Sequence, residues 1–169
     1  ELNDYIRYPS NWDSINKNLV YLDENHQKFN ISEILINTTV QLNNVYHLEK
    51  LFNYLSGFHF VKKVPNLINL FFPVYMRTAV LPNKIKKQAY LKLKKIRKEA
   101  EESIGAGDEY LLQNIDQCCN YLLSSMDKKF IDSFWGEFEI FTQKYDKAKG
   151  LDLLSTNPEL SLYFKKDKE

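Results

Sequence analysis

The stretch EILINTTVQLNN, residues 33–44, decides how the rest of the chain is read. Ile34, Ile36, Val40 and Leu42 alternate with Leu35, Asn37, Thr39 and Gln41, so one set is apolar and the other mostly polar. A period of two belongs to a strand, whose successive side chains leave the backbone on opposite faces. A strand is therefore expected over residues 33–42, with Asn37, Thr39 and Gln41 on one face and Asn43 at its carboxyl rim.

Helix signals flank this strand. Upstream, Ser10 caps a helix with Asp13 in its first turn, and Trp12, Ile15, Leu19 and Leu22 follow at helical spacing before a loop from Asn25 to Asn30. Downstream, Asn43 or Asn44 caps a helix carrying Val45, Leu48, Phe52 and Leu55, with Gly57 near its end. The run LINLFFPV, residues 67–74, has almost no alternation, the pattern of a strand buried on both faces, with Pro73 at its end. Two strands separated by a helix need a parallel crossover. A free-standing pair of parallel strands leaves both edges open, so this order predicts further strands upstream of the segment. The start at Glu1 rather than Met agrees with that expectation.

From Pro82 the pattern is helical only. A long charged helix runs to about Ser103 and is broken by Gly105 and Gly107. Further helices are expected from Asp108 to about Ser125 and from Asp127 to about Lys147 before Gly150, and a short last one opens at Asn157-Pro158. Phe130, Phe134, Trp135, Phe138, Phe141 and Tyr145 follow helical spacing as the core of this extension. The division is thus 1–81 for the α/β part and 82–169 for the helical extension.

Composition narrows the function classes. With 169 residues, 44% hydrophobic and 14% aromatic, the chain can bury a core, and disorder is excluded. Lys plus Arg total 23 against 22 Asp plus Glu, so the net charge of +1 makes no global case for nucleic acid or a membrane surface. No apolar run is long enough to span a bilayer, and ELNDYIRYPS carries no signal-peptide pattern. Cys118 and Cys119 are the only cysteines; adjacent helical residues point about 100° apart, which suits neither a disulfide nor a shared metal. They read as packing residues in a reducing, cytoplasmic compartment.

Four segments then carry a resemblance: YIRYPSNWDSINKNLVYL, TTVQLNNVYHLEKLFNYL, NLFFPVYMRTAVLPNKIKKQAYLKL and FTQKYDKAKGLDLLSTNPELSLYF. In this order and spacing the chain resembles the second half of twitch-domain radical S-adenosylmethionine (radical SAM) proteins. The resemblance implies an α/β fold made of the last strands and helices of a partial (β/α)6 barrel, followed by a helical extension. It also implies S-adenosylmethionine and a 4Fe-4S cluster in an intact protein, where reductive cleavage of the cofactor gives a 5′-deoxyadenosyl radical that abstracts a substrate hydrogen. The family holds its cluster on a C-x-x-x-C-x-x-C loop, and no such triad or auxiliary-cluster cysteines occur in this sequence. This segment alone is therefore expected to be inactive. By the same resemblance, Arg7 matches a basic residue that pairs with the cofactor carboxylate, and Thr39, Gln41 and Asn43 match the end of the fifth strand, which contacts ribose or lines the substrate cavity. The substrate class is left open between a peptide and a small molecule. Lys149 stands where the family tail usually has Arg; with Asp146 it reads as a helix pair three apart.

A second class of function is a non-catalytic helical interaction domain. Lys84, Lys86, Lys87, Lys92, Lys94, Lys95, Arg97 and Lys98 interleave with Ile85, Ala89, Leu93 and Ile96, which suits either an RNA-binding face or a solvated face over an apolar stripe. Glu99, Glu101 and Glu102 favour the solvated face. His26, His47 and His59 lack companions at metal-ligand spacing. Neither a nucleophile elbow nor a phosphate loop is present.

Overall fold

The computed structural model describes residues 2–105 and 107–164. Strands β1 (Asn37–Val40) and β2 (Asn66–Asn69) pair in parallel, with Asn37 opposite Asn66 and Thr39 opposite Ile68. A single parallel bridge between Ile34 and Val61 continues the pairing upstream. The crossover runs through a 3₁₀ turn, Val45–His47, and helix α3 (Leu48–Leu55). Because side chains alternate, this register sorts two faces. Val40 and Leu67 are buried in the core, whereas Asn37, Thr39 and Ile68 are exposed on the opposite face.

The run LINLFFPV does not form the doubly buried strand expected of it. β2 stops at Asn69, and Ile68, Phe71 and Phe72 are 47%, 55% and 76% exposed. The reason lies in β1. Leu70 still donates its N–H to the Val40 carbonyl at 2.9 Å, but the next pairing joins Leu42 N–H to the Met76 carbonyl at 2.8 Å. Residues 71–73 therefore loop out beside no strand, and Pro73, with no N–H of its own, precedes a 3₁₀ turn at Val74–Met76.

The short helix α1 (Leu2–Ile6) was not expected. Helix α2 (Trp12–Glu24) is capped by Asn11, whose Oδ1 accepts the Ser14 N–H at 3.0 Å, rather than by Ser10. The Ser10 hydroxyl is instead within 3.2 Å of the Asn3 side-chain amide that donates to it. At the far end of α2, buried Asp23 accepts the backbone N–H groups of His59, Phe60 and Val61, at 3.1, 2.6 and 3.1 Å. One carboxylate thus ties α2 to the approach to β2.

Helix α4 (Asn83–Glu101) buries Ile85, Ala89, Leu93, Ile96 and Ala100, a stripe at spacings of three and four. It lies against α5 (Glu109–Leu122), which buries Leu111, Ile115, Cys118 and Leu122 and flanks β2. Helix α6 (Lys128–Lys149) ends at Gly150, whose φ of 65° is the left-handed conformation glycine adopts without strain. The aromatic series on α6 lies in or against one hydrophobic cluster that also holds Val40, Leu48, Leu67, Leu93 and Ile115. That core is continuous across residues 81 and 82. A smaller cluster of Leu19, Leu55 and Val61 lies under α2. Phe138 is fully buried near the centre, where truncation to Ala costs about 3–5 kcal/mol.

Candidate functional site

In parallel α/β architectures, groups gather where strands end. Here β1 ends in a run of amides. Ile36 and Val40 accept from Asn66 and Leu70 of the β2 segment, so the backbone groups of Asn37, Thr39 and Gln41 face the outer edge of the sheet. Asn44 folds back over that edge: its Oδ1 accepts the Gln41 N–H and its Nδ2 donates to the Thr39 carbonyl, both at 2.9 Å. A side chain thus occupies the place of a neighbouring strand for one residue pair. Asn37, further back, keeps its edge position, while its side-chain oxygen accepts from Asn66 at 2.8 Å. Asn66 in turn accepts from Asn114 of α5 at 2.7 Å, so a chain of carboxamides crosses the open face.

The sequence-derived residues do not present one common surface. Thr39 is exposed on the open face, but Gln41, expected beside it, is buried because the strand gives way to a turn after Val40. Asn43 is also buried, at the base of the chain's tail. Its carbonyl accepts from Asn157 Nδ2 at 2.7 Å, and its own Oδ1 has no hydrogen-bond partner among the described residues. Arg7 lies exposed in the turn that closes α1.

The tail is clasped to this strand end by two contacts. Asn157 bonds to Asn43, as above. Glu159 meets His47 Nε2 at 3.0 Å in a place where both side chains are nearly buried. Burial pushes the Glu159 carboxyl up, but the His47 contact and further hydrogen bonds outweigh it and hold the group below the usual glutamate range. Asp146 does not pair with Lys149. It accepts the Leu153 N–H at 3.0 Å, at the start of helix α7 (Leu153–Thr156), whose N-cap is Asp152, while Lys149 stands 4.9 Å from the Tyr8 ring centroid. A motif read as a helix-surface pair thus ties the end of α6 to the start of α7. The sequence marks Asn157 only as the opening of a short helix, because its partner lies 114 residues away.

The fit of this chain to an iron-sulfur cluster is poor on chemical grounds. Such clusters take deprotonated thiolates. Cys118 and Cys119 are buried, and desolvation pushes their thiols up to about 12 and about 11. Among the described residues no group of three or more His, Cys, Asp and Glu is placed to hold a metal ion. His26 is stacked on Phe60 with its Nδ1 2.9 Å from the Asp23 carbonyl oxygen, and His59 offers only its backbone to Asp23.

Most cations of α4 are spent internally. Lys92 lies over the Tyr46 ring at 3.7 Å and donates to the Tyr46 carbonyl. Lys94 and Arg97 reach Asp116, Arg97 also reaches Glu101, and Lys95 pairs with Glu49. Lys86 is fully buried with its Nζ on the Ser125 carbonyl. A phosphate backbone needs several free cations on one face, and this helix holds few.

No protein-family model, curated protein or solved structure matches this chain. Among the described residues no helix is long and apolar enough to cross a membrane.

Proposed function

We propose that this chain is the carboxyl-terminal part of a radical SAM partial barrel, with the open face of β1 and β2 turned toward the barrel lumen. The observation that carries the reading is the register. Parallel pairing of Asn37 with Asn66 and of Thr39 with Ile68 puts the polar, odd-numbered side chains of β1 on the exposed face, opposite the one on which Val40 and Leu67 are buried. A barrel interior is lined in this way, by alternate residues of successive parallel strands, and helices cover the other face. The outer edge of β1 supports it further, because Asn37 directs its backbone N–H and C=O to where an upstream strand would pair.

In this reading the cluster and the S-adenosylmethionine chemistry belong to other segments of the protein, since Cys118 and Cys119 do not suit cluster ligation. This chain contributes a lumen wall at Thr39 and a strand end held rigid from below by Asn157 and Asn44. The test is anaerobic reconstitution, with iron and sulfide, of the whole protein encoded by the reading frame that contains these residues. A 4Fe-4S absorption band and 5′-deoxyadenosine on addition of S-adenosylmethionine and a reductant are expected. A reconstituted, folded protein that binds no cluster and yields no 5′-deoxyadenosine would overturn the assignment.

A further inference from the structure

The backbone of β1 is bonded on one side only. Asn66 and Lys62 donate their N–H groups to the Ile36 and Ile34 carbonyls at 2.9 and 2.8 Å, and Leu70 donates to Val40 at 2.9 Å, so the even-numbered backbone groups of residues 34–40 face β2. The N–H and C=O groups of Leu35 and Asn37 and the N–H of Thr39 point the other way, and among the described residues none bonds to them. Asn37 and Thr39 are exposed at that edge. Edges that stay in water are ordinarily blunted by lysine, proline or a bulge. Residues 34–40, ILINTTV, contain neither residue, and their register with β2 runs from Asn37 to Val40 without an insertion.

Asn44 shows what this edge accepts. Its carboxamide donates to the Thr39 carbonyl and accepts the Gln41 N–H, both at 2.9 Å, so one group bonds to the residues before and after Val40. That is the pattern a parallel neighbour makes, whereas an antiparallel neighbour exchanges both bonds with a single residue. Continued backward, the same pattern places a residue opposite Thr38 that donates to the Asn37 carbonyl and accepts the Thr39 N–H. Another falls opposite Ile36, donating to the Leu35 carbonyl and accepting the Asn37 N–H. An extended backbone supplies a donor and an acceptor at this repeat, every second residue along the strand. Forward of Thr38 the next place is taken by Asn44 itself.

We infer that the outer edge of β1 takes an extended strand running parallel to it, bonded across residues 35–39 and ended opposite Thr38 by the Asn44 side chain. The inference rests on the partial-barrel reading for the source of that strand, another segment of the same protein, and adds its direction, its register and its end. Such a neighbour leaves the sheet before β1 reaches Gln41. The rim between the two strands is then formed by the Asn44 carboxamide in place of main chain.

The test is amide hydrogen exchange, followed residue by residue, on the 169-residue chain and on the whole protein encoded by the reading frame that contains it. In the 169-residue chain the Asn37 and Thr39 amides should exchange fast, and in the whole protein about a hundredfold or more slowly. Asn44→Ala should speed exchange of the Gln41 amide equally in both proteins and leave Asn37 and Thr39 protected in the whole one. Fast exchange at Asn37 and Thr39 in the folded whole protein would overturn the edge pairing, whether or not a cluster forms. Gln41 protected in the variant whole protein but not in the variant 169-residue chain would overturn the end opposite Thr38. Protection of Asn37 and Thr39 in a whole protein that binds no cluster would uphold the strand pairing and fail the radical SAM assignment alone.

Discussion

Asn157 donates its side-chain N–H to the carbonyl oxygen of Asn43 at 2.7 Å, and both residues are buried. This contact joins the end of the chain to the end of β1, and it makes the tail a structural part of the strand rim rather than an appendage. Replacing Asn157 by Ala leaves the Asn43 carbonyl buried and unpaired, which costs about 1–3 kcal/mol. Urea unfolding should show a lower midpoint with an unchanged slope. Asn157→Asp, which keeps the shape but loses the donor, should be at least as destabilising.

Asp23 predicts an acid limb of stability. Burial pushes its carboxyl up, but three backbone N–H donors outweigh that and hold it below the ordinary value of 3.8. A carboxyl with a depressed folded value contributes stability that is intact above 3.8 and decays as pH falls through the lower folded value. Asp23→Asn removes charge-assisted bonds and should cost about 1–3 kcal/mol at neutral pH. The deficit should shrink as pH drops through that window, measured by thermal or urea unfolding across acid pH.

Lys86 predicts a slope of opposite origin at alkaline pH. Burial lowers its ammonium to about 8 from 10.5, so the unfolded chain binds the extra proton between those values. Stability should therefore rise with pH from about 8 to 10.5, by at most about 3 kcal/mol at 1.36 kcal/mol per unit. Lys86→Met should flatten that rise. It should also be no less stable than the parent at neutral pH, as a buried charge replaced by an apolar chain of similar length.

The adjacent thiols give a chemical check on the packing. Thiolate is the reactive form, and desolvation raises Cys118 and Cys119 from 9.0 to about 12 and about 11. An aromatic disulfide reagent at neutral pH should modify the native chain roughly a hundredfold or more slowly than the denatured chain. Rapid modification of both thiols in the folded protein would contradict their burial.

Where a signal is local, the sequence was legible. Alternation from Ile34 to Leu42 marked β1, the stripe Ile85, Ala89, Leu93 and Ile96 marked the buried side of α4, and Gly150 marked the end of α6. Ser10 and Asn11 are both competent caps, so spacing alone did not choose between them. In LINLFFPV, apolar character does not say whether a partner strand lies alongside, and with β1 ending at Val40 none does past Asn69. The same limit governed Thr39, Gln41 and Asn43. Their order along the chain was plain, but the turn that buries Gln41 and the tail that covers Asn43 are set by Asn44 and Asn157.

The most direct measurement is to read the coding frame immediately upstream of Glu1. The account predicts that the frame continues and encodes a C-x-x-x-C-x-x-C loop after a strand, followed by alternating strands and helices that would complete the sheet beside β1. A start codon adjoining Glu1, or an upstream frame with no such cysteine triad, would contradict it.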